Sequence, residues 1–317
     1  MSSGRVIGID AGGTKLLGGV VDDELGVHHR VRRTWQESGP DSALDVIADA
    51  VQEVRAAAPD VEAVGFGLPS LVEWETGVSR WSNHLALDDV GFRAAMADRL
   101  GMAVVVDNDA NVAALAEHRL GAARGCDHAV LVALGTGIGG ALVLDGRLYR
   151  GAHGFAGEIG HVVVDHDGAD CPGACPGRGC LEALASGRAI GVAAERVARA
   201  QPDSVLGRRL ADAGALLGVA VTELAHAGDE QALAVLAEVG ERLGAGLTGL
   251  VNALDPEVVV IGGGAVAAGD LLLEPARRVV AARALPPVAA AVRVVPARFG
   301  EEAGMLGAAL LAMDELG

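Results

Sequence analysis

The chain has 317 residues, 51% of them hydrophobic, enough for two ordinary domains each with its own core. Aromatic residues make up only 3%, so those cores must be packed mainly from Ala, Val and Leu. The net charge of −17 argues against nucleic acid and anionic membrane as partners, and the longest stretch free of charged and His side chains, Ala129 to Leu144, is too short and too glycine-rich to span a bilayer. Nothing at the start resembles a signal peptide, so a soluble cytoplasmic protein is expected.

Arg5 to Asp10 and Leu16 to Asp22 read as short apolar strands joined by D-A-G-G-T-K, Asp10 to Lys15. Such a hairpin either offers backbone N–H groups to an anion or is an ordinary turn with exposed glycines. It is not a Walker A loop, since no helix pattern follows Gly-Thr-Lys. Lys15 is the only lysine among 25 basic residues, which marks the position unless compositional drift toward Arg explains it. A third strand is expected over Val27 to Trp35, a helix over Ser42 to Ala58, and a buried strand over Val61 to Gly67 running into G-F-G-L-P-S. Trp74 and Trp81 flank an expected hairpin, as packing residues rather than stacking platforms. A helix over Phe92 to Leu100 and a strand over Ala103 to Val106 lead to D-N-D-A-N, Asp107 to Asn111, and a helix from Ala110 to about Leu120. Capping uses one or two of these side chains; four polar groups in five residues exceed it, so at least one should face a ligand.

His128 to Leu144 repeats the opening pattern: strand, L-G-T-G-I-G-G, strand. Two glycine-rich hairpins, each with a threonine (Thr14, Thr136), suggest an internal duplication with a boundary near residue 120. The expected domains are residues 1–118, with a closing helix 302–317 packing back on them, and residues 119–301. Between Gly154 and Glu182, Cys171, Cys175 and Cys180 form a C-x3-C-x4-C cluster with His161 ten residues upstream. Three thiolates and an imidazole suit tetrahedral, structural zinc; a disulfide with a spare thiol is the alternative. Glu158 and Glu182 bracket the cluster and suit a polyhydroxylated ligand. Helices are expected over Leu181 to Ala200, Leu216 to Ala227 and Asp229 to Leu254. Val258 to Ile261 is a strand opening into G-G-G-A, a turn that admits a flat ligand or simply starts a helix. Val292 to Pro296 is a last strand and Glu302 to Leu316 a closing helix.

Taken together, D-A-G-G-T-K, G-F-G-L-P, D-N-D-A-N, L-G-T-G-I-G-G, G-E-I-G-H, the cysteine cluster with C-L-E, and V-I-G-G-G resemble the ROK family across essentially the whole chain. That family comprises bacterial sugar kinases and sugar-responsive repressors. The resemblance implies an α/β, two-domain, actin-like ATPase (ribonuclease H-like) fold with duplicated mixed sheets, as in hexokinase. It favours the kinase branch, because Asp10 lies too near the start for the repressors' preceding helix-turn-helix. By resemblance, Asp10, Gly12, Gly13, Thr14, Lys15 and Gly135, Thr136, Gly137, Gly139 hold the ATP phosphates with magnesium, and Gly262, Gly263 and Gly264 lie against the adenosine. Asn83, Asn108, Asp109, Glu158, His161 and Glu182 bind sugar hydroxyls, Asp109 also serving as general base. His161, Cys171, Cys175 and Cys180 hold zinc; the first cysteine spacing is two residues longer than the family's commoner C-x-C-x4-C.

The expected activity is ATP-dependent phosphorylation of a hexose at the 6-hydroxyl, foremost glucose. Another hexose (N-acetylmannosamine, N-acetylglucosamine or fructose), polyphosphate as donor, and a non-catalytic sugar-binding regulator are the alternatives. The expected partners are hexose and ATP, with no nucleic acid and no membrane, in a homodimer or homotetramer.

Overall fold

The computed structural model describes residues 4–35, 39–82 and 85–316, so Asn83, one of the expected sugar-binding groups, lies outside the described residues. In chain order the elements are β1 (Val6–Ala11), β2 (Lys15–Val21), β3 (Val27–Thr34), α1 (Pro40–Ala57), β4 (Ala63–Leu68), β5 (Leu71–Glu73), β6 (Val78–Trp81), α2 (Phe92–Leu100), β7 (Ala103–Asn108) and α3 (Asp109–Leu120). Then come β8 (Ala129–Leu134), β9 (Ile138–Leu144), β10 (Arg147–Leu148), α4 (Leu181–Ala185), α5 (Gly187–Ala200), α6 (Val205–Ala213), α7 (Gly218–His226) and α8 (Glu230–Leu254). The last are β11 (Val258–Gly262), α9 (Asp270–Arg283), α10 (Pro286–Ala291), β12 (Arg293–Pro296) and α11 (Ala303–Leu316). No helix among the described residues is long and apolar enough to cross a membrane.

Two mixed sheets share one plan, β3-β2-β1-β4-β7 and β10-β9-β8-β11-β12. In each, an antiparallel hairpin edge is extended by two strands parallel to the first, as a duplication requires. The chain forms two compact units: residues 1–125, 141–157 and 298–317 in one, 126–140 and 158–297 in the other, so that the cut falls inside β9.

In the first unit the period-2 alternation of buried strands sorts two cores. Ile7, Ile9, Val64, Phe66, Val104 and Val106 face α1 and α2, while Val6 and Val105 join the buried residues of α3 and α11. Gly8 and Gly65 let α11 lie against the sheet; a Cβ at either would strike the backbone oxygens of Met305 or Ala308. In the second unit α8 carries its apolar stripe at helical spacing, Leu236, Val239, Leu243, Leu247 and Val251, all fully buried.

Four helices depart from the sequence expectation. The long helix expected over Leu181 to Ala200 is broken at Ser186, whose hydroxyl caps α5 by accepting from the Ala189 N–H. Neither α6 nor α10 is marked in the sequence, and α9 only as the helix that the G-G-G-A turn could start; α9 continues through Pro275, which is buried where α9 packs on Gly240 of α8.

Candidate functional site

The carboxyl ends of the parallel strands in the first unit put the acidic groups side by side. Asp10 pairs in register with Gly67, and Gly67 with Asp107, so β1, β4 and β7 end in one row. Ligands of open α/β sheets sit at this edge. Asp109 opens α3, and its Oδ1 accepts from the N–H of Ala110 at 2.8 Å. Burial, and then the nearby Asp109 charge, push the Asp10 carboxyl up to about 7. Asn108 is the N-cap of α3: its Oδ1 accepts from the N–H groups of Ala110 (2.9 Å) and Asn111 (3.2 Å), and its Nδ2 donates to the Ser70 carbonyl at 3.3 Å.

Asp107 is buried and takes the guanidinium of Arg150 at 2.7 Å and the amide of Asn111 at 2.8 Å. The Arg150 guanidinium carbon lies 3.6 Å from the centroid of the Trp74 ring. Trp74 packs against the core of α3 and α11, as expected, and its half-buried indole also meets a cation that the sequence places 76 residues on. In the same unit the Asp10–Lys15 loop is braced by Trp35, whose indole N–H donates to the Gly12 carbonyl (3.0 Å) and whose backbone N–H donates to that of Thr14 (3.2 Å). Lys15 is exposed, with Nζ 3.5 Å from Glu301.

In the second unit the loop from Gly135 is fastened to the start of α4 and α5. Ile138 donates its N–H to Glu182 Oε2 at 2.7 Å, and Gly187 donates to the Gly135 carbonyl at 2.9 Å. Gly262 pairs with Ala133, so the Gly262–Gly264 turn follows β11 at the edge where this glycine loop follows β8. The structure thus brings Thr136, Gly137 and Glu182 together, and sets Gly262 to Gly264 beside the same edge.

The cysteine cluster closes on itself. One donor atom each from His161, Cys171, Cys175 and Cys180 lies within 4.8 Å of the others. All four cysteines of the chain are free thiols, so none forms the alternative disulfide. The longer first spacing is absorbed locally: Cys171 donates its N–H to the Gly177 carbonyl at 2.9 Å, and Asp170 bridges Arg178. Gly179, at φ +64°, passes so close to the Asp165 carbonyl that a Cβ would collide with it. Burial foremost, and then the neighbouring thiols, push the Cys171 thiol up; burial does the same to Cys180. A coordinating cation reverses that, since a metal-bound thiol is deprotonated. Soft thiolates with one imidazole, four donors in all, fit a closed zinc site. His161 turns Nδ1 to the Cys171 sulfur (3.5 Å) and Nε2 toward Glu158 (3.9 Å).

A profile of the ROK family matches residues 6–315. The chain belongs to the ROK family. It is 34% identical over 315 residues to a glucokinase of Thermotoga maritima, covering 99% of this chain and 98% of the relative. A ROK family glucokinase from Streptomyces griseus, solved in complex with glucose and AMPPNP, superposes with a TM-score of 0.86 at 33% identity, covering 98% of this chain and 100% of that one. A ROK family transcriptional regulator, a homolog of E. coli MLC protein, superposes with a TM-score of 0.87 at 28% identity, covering 98% of this chain and 79% of that one. With these neighbours, the two sheets of this ROK protein are the duplicated halves of the actin-like ATPase fold. Arg150 and Trp74 were absent from the sequence-derived site; only the contacts of Arg150 with Asp107 and with the Trp74 ring reveal them.

Proposed function

We propose that this ROK family protein is an ATP-dependent sugar kinase that phosphorylates glucose at its 6-hydroxyl. The observation that carries the reading is the full-length likeness to a ROK glucokinase solved with glucose and AMPPNP. Phosphoryl transfer asks for positioning, charge neutralisation and a base more than for covalent chemistry. Asp109 is the proposed base, taking the proton of the attacking hydroxyl as the phosphoryl group leaves ATP. Asp10 to Lys15 and Gly135 to Gly139 hold the phosphates, and Gly262 to Gly264 lie against the adenosine. Magnesium arriving with ATP would be held at the first of these loops and would neutralise charge on the transferring group. Asn83, Asn108, Asp109, Glu158, His161 and Glu182 pair with sugar hydroxyls. His161 can do so while ligating zinc, because Nδ1 faces the sulfurs and Nε2 is turned the other way. Zinc would be structural, held by His161, Cys171, Cys175 and Cys180 with no open position for chemistry. A cytoplasmic homodimer or homotetramer completes the reading.

The regulator neighbour favours a second reading, a sugar-binding protein without catalysis. Release of ADP on mixing with glucose and ATP separates the two, and its absence would sink the kinase. A site built to pair hydroxyls rejects a sugar that leaves them unsatisfied. Glucose should therefore lead mannose, fructose, N-acetylglucosamine and N-acetylmannosamine in kcat/KM. Should an N-acetylated sugar lead, only the kinase class survives.

A further inference from the structure

Asp107 is 1% exposed, one residue before the cap of α3. A carboxylate buried this deeply must be paired and hydrogen-bonded. Its Oδ1 accepts from the backbone N–H of Asn108 and from the side-chain amide of Asn111, both at 2.8 Å. Those two residues flank Asp109, so a single oxygen grips the turn on either side of the base. The Asn111 Oδ1 is buried without a hydrogen-bond partner, which leaves the Asn111 side chain held through its amide nitrogen. The other carboxylate oxygen, Oδ2, accepts from Arg150 Nε at 2.7 Å. Arg150 is itself held in place, its guanidinium carbon 3.6 Å over the Trp74 ring. Trp74 is fixed in turn by its carbonyl, which accepts from Arg93 at 2.8 Å, and by the close approach of Gly154. A planar, stacked guanidinium sets the orientation of a carboxylate in a way that a mobile ammonium does not.

We propose that Arg150, stacked on Trp74, is a positioning residue for catalysis: through Asp107 it fixes the Asn108–Asn111 turn and so the direction of the Asp109 carboxylate. The proposal rests on the reading of Asp109 as the base. Without Arg150, Asp107 loses its only ion-pair partner among the described residues, and its grip on both flanks of Asp109 loosens with it. The loss falls on orientation at the reacting group rather than on the binding of either substrate.

The test compares wild type, Arg150→Gln, Arg150→Lys and Asp109→Asn for kcat, KM for ATP, glucose affinity by calorimetry, and thermal unfolding. Arg150→Gln is expected to lower kcat about 100-fold, the scale of a small misplacement of a reacting group, with KM for ATP and glucose affinity within about threefold. Arg150→Lys should recover part of the loss, because an ammonium can pair with Asp107 but cannot lie flat on the indole. Adding Asp107→Asn to Arg150→Gln should lower kcat little further, since both act through one contact. A lowered Tm with wild-type kcat per folded molecule, or a raised KM at unchanged kcat, would overturn the proposal. If Arg150→Gln does not fold, Arg150→Lys decides it: wild-type kcat there overturns it, and a lowered kcat at unchanged Tm supports it. Active wild type, inactive Asp109→Asn and unaffected Arg150 variants would remove this proposal alone. Wild type that does not phosphorylate glucose, or Asp109→Asn that still does, removes the function reading and this inference together.

Discussion

The β7–α3 junction and the loop from His161 to Cys180 both hold several polar side chains in one arrangement, by opposite means. At the junction regular structure does most of the work: β7 and α3 fix the backbone, Asn108 caps the helix, and Asp107 gathers Arg150, Asn111 and the Asn108 N–H. The loop has no strand or α-helix, only isolated bridges, turn hydrogen bonds and one short turn at Ile159–His161, with its donors converging on a point. Many modest contacts, each worth about 1 kcal/mol, should fail by degrees, whereas four ligands on one ion should fail together.

Metal removal is the strongest way to break that contrast. About one zinc per chain is expected by elemental analysis, and chelation should lower stability by several kcal/mol, about 10 °C or more in Tm, with glucose affinity falling alongside. Metal-free active protein, or a graded response resembling the junction's, would end the argument. Asp109→Asn comes next: turnover should drop about 10²–10⁴-fold while glucose affinity stays within a few-fold. Wild-type turnover would remove Asp109 as the base.

The cysteine cluster was legible in sequence because metal ligation is side-chain chemistry at short spacing, and local bridges absorb the extra residues before Cys175. The strands and the paired glycine hairpins were legible from alternation and repetition, which is how the duplicated sheet plan could be expected. Arg150 was not legible, since its partner lies 43 residues away and its neighbours carry no motif. Trp74 was legible as a packing residue, but nothing local announces the cation over its ring. α9 was hidden by Pro275, a helix breaker in isolation that packing on α8 accommodates here. The gap between α4 and α5 was hidden for the converse reason: apolar spacing runs on through Ser186 while the hydroxyl starts a new helix.

Asp10, on β1 and near the Asp109 charge of the junction, tests whether this strand edge keeps a destabilising group in place. Its folded value of about 7 stands above the ordinary 3.8, so the native state holds a proton that the unfolded chain has released between those limits. Stability therefore falls as pH rises from about 4 to about 7, and the full cost, at most about 4 kcal/mol, is present above 7. Asp10→Asn should be more stable than wild type at pH 8 and equal to it near pH 4, read by denaturant titration. Parallel stability curves would show that Asp10 ionises normally. A smaller effect is expected from Glu182→Gln, which weakens the charged hydrogen bond to the Ile138 N–H. KM for ATP should rise about tenfold, the equivalent of 1.4 kcal/mol, if Glu182 orders the second phosphate loop. An unchanged KM would confine Glu182 to the sugar.

Lys15→Arg should have the smallest effect and is the sharpest test of whether the Asp10–Lys15 loop holds phosphate as proposed. Lys15 begins β2 with its side chain 58% exposed, and its Nζ lies 3.5 Å from one oxygen of Glu301 while Arg32 takes the other at 2.6 Å. An exposed pair of this kind is worth about 0–1 kcal/mol, so the ammonium is lightly held and easily drawn to a phosphate. An arginine at the same place keeps the charge but presents a planar fork that matches the Glu301 carboxylate, competing with Arg32 and costing more to withdraw. KM for ATP is expected to rise about three- to tenfold with turnover nearly unchanged, measured from initial rates against ATP at saturating glucose. Adding Glu301→Gln should reverse most of that rise if the fork is held by Glu301; if it does not, the shape of the guanidinium at the phosphate is the cause. Identical constants in Lys15→Arg and wild type would make the single lysine an accident of an arginine-rich composition.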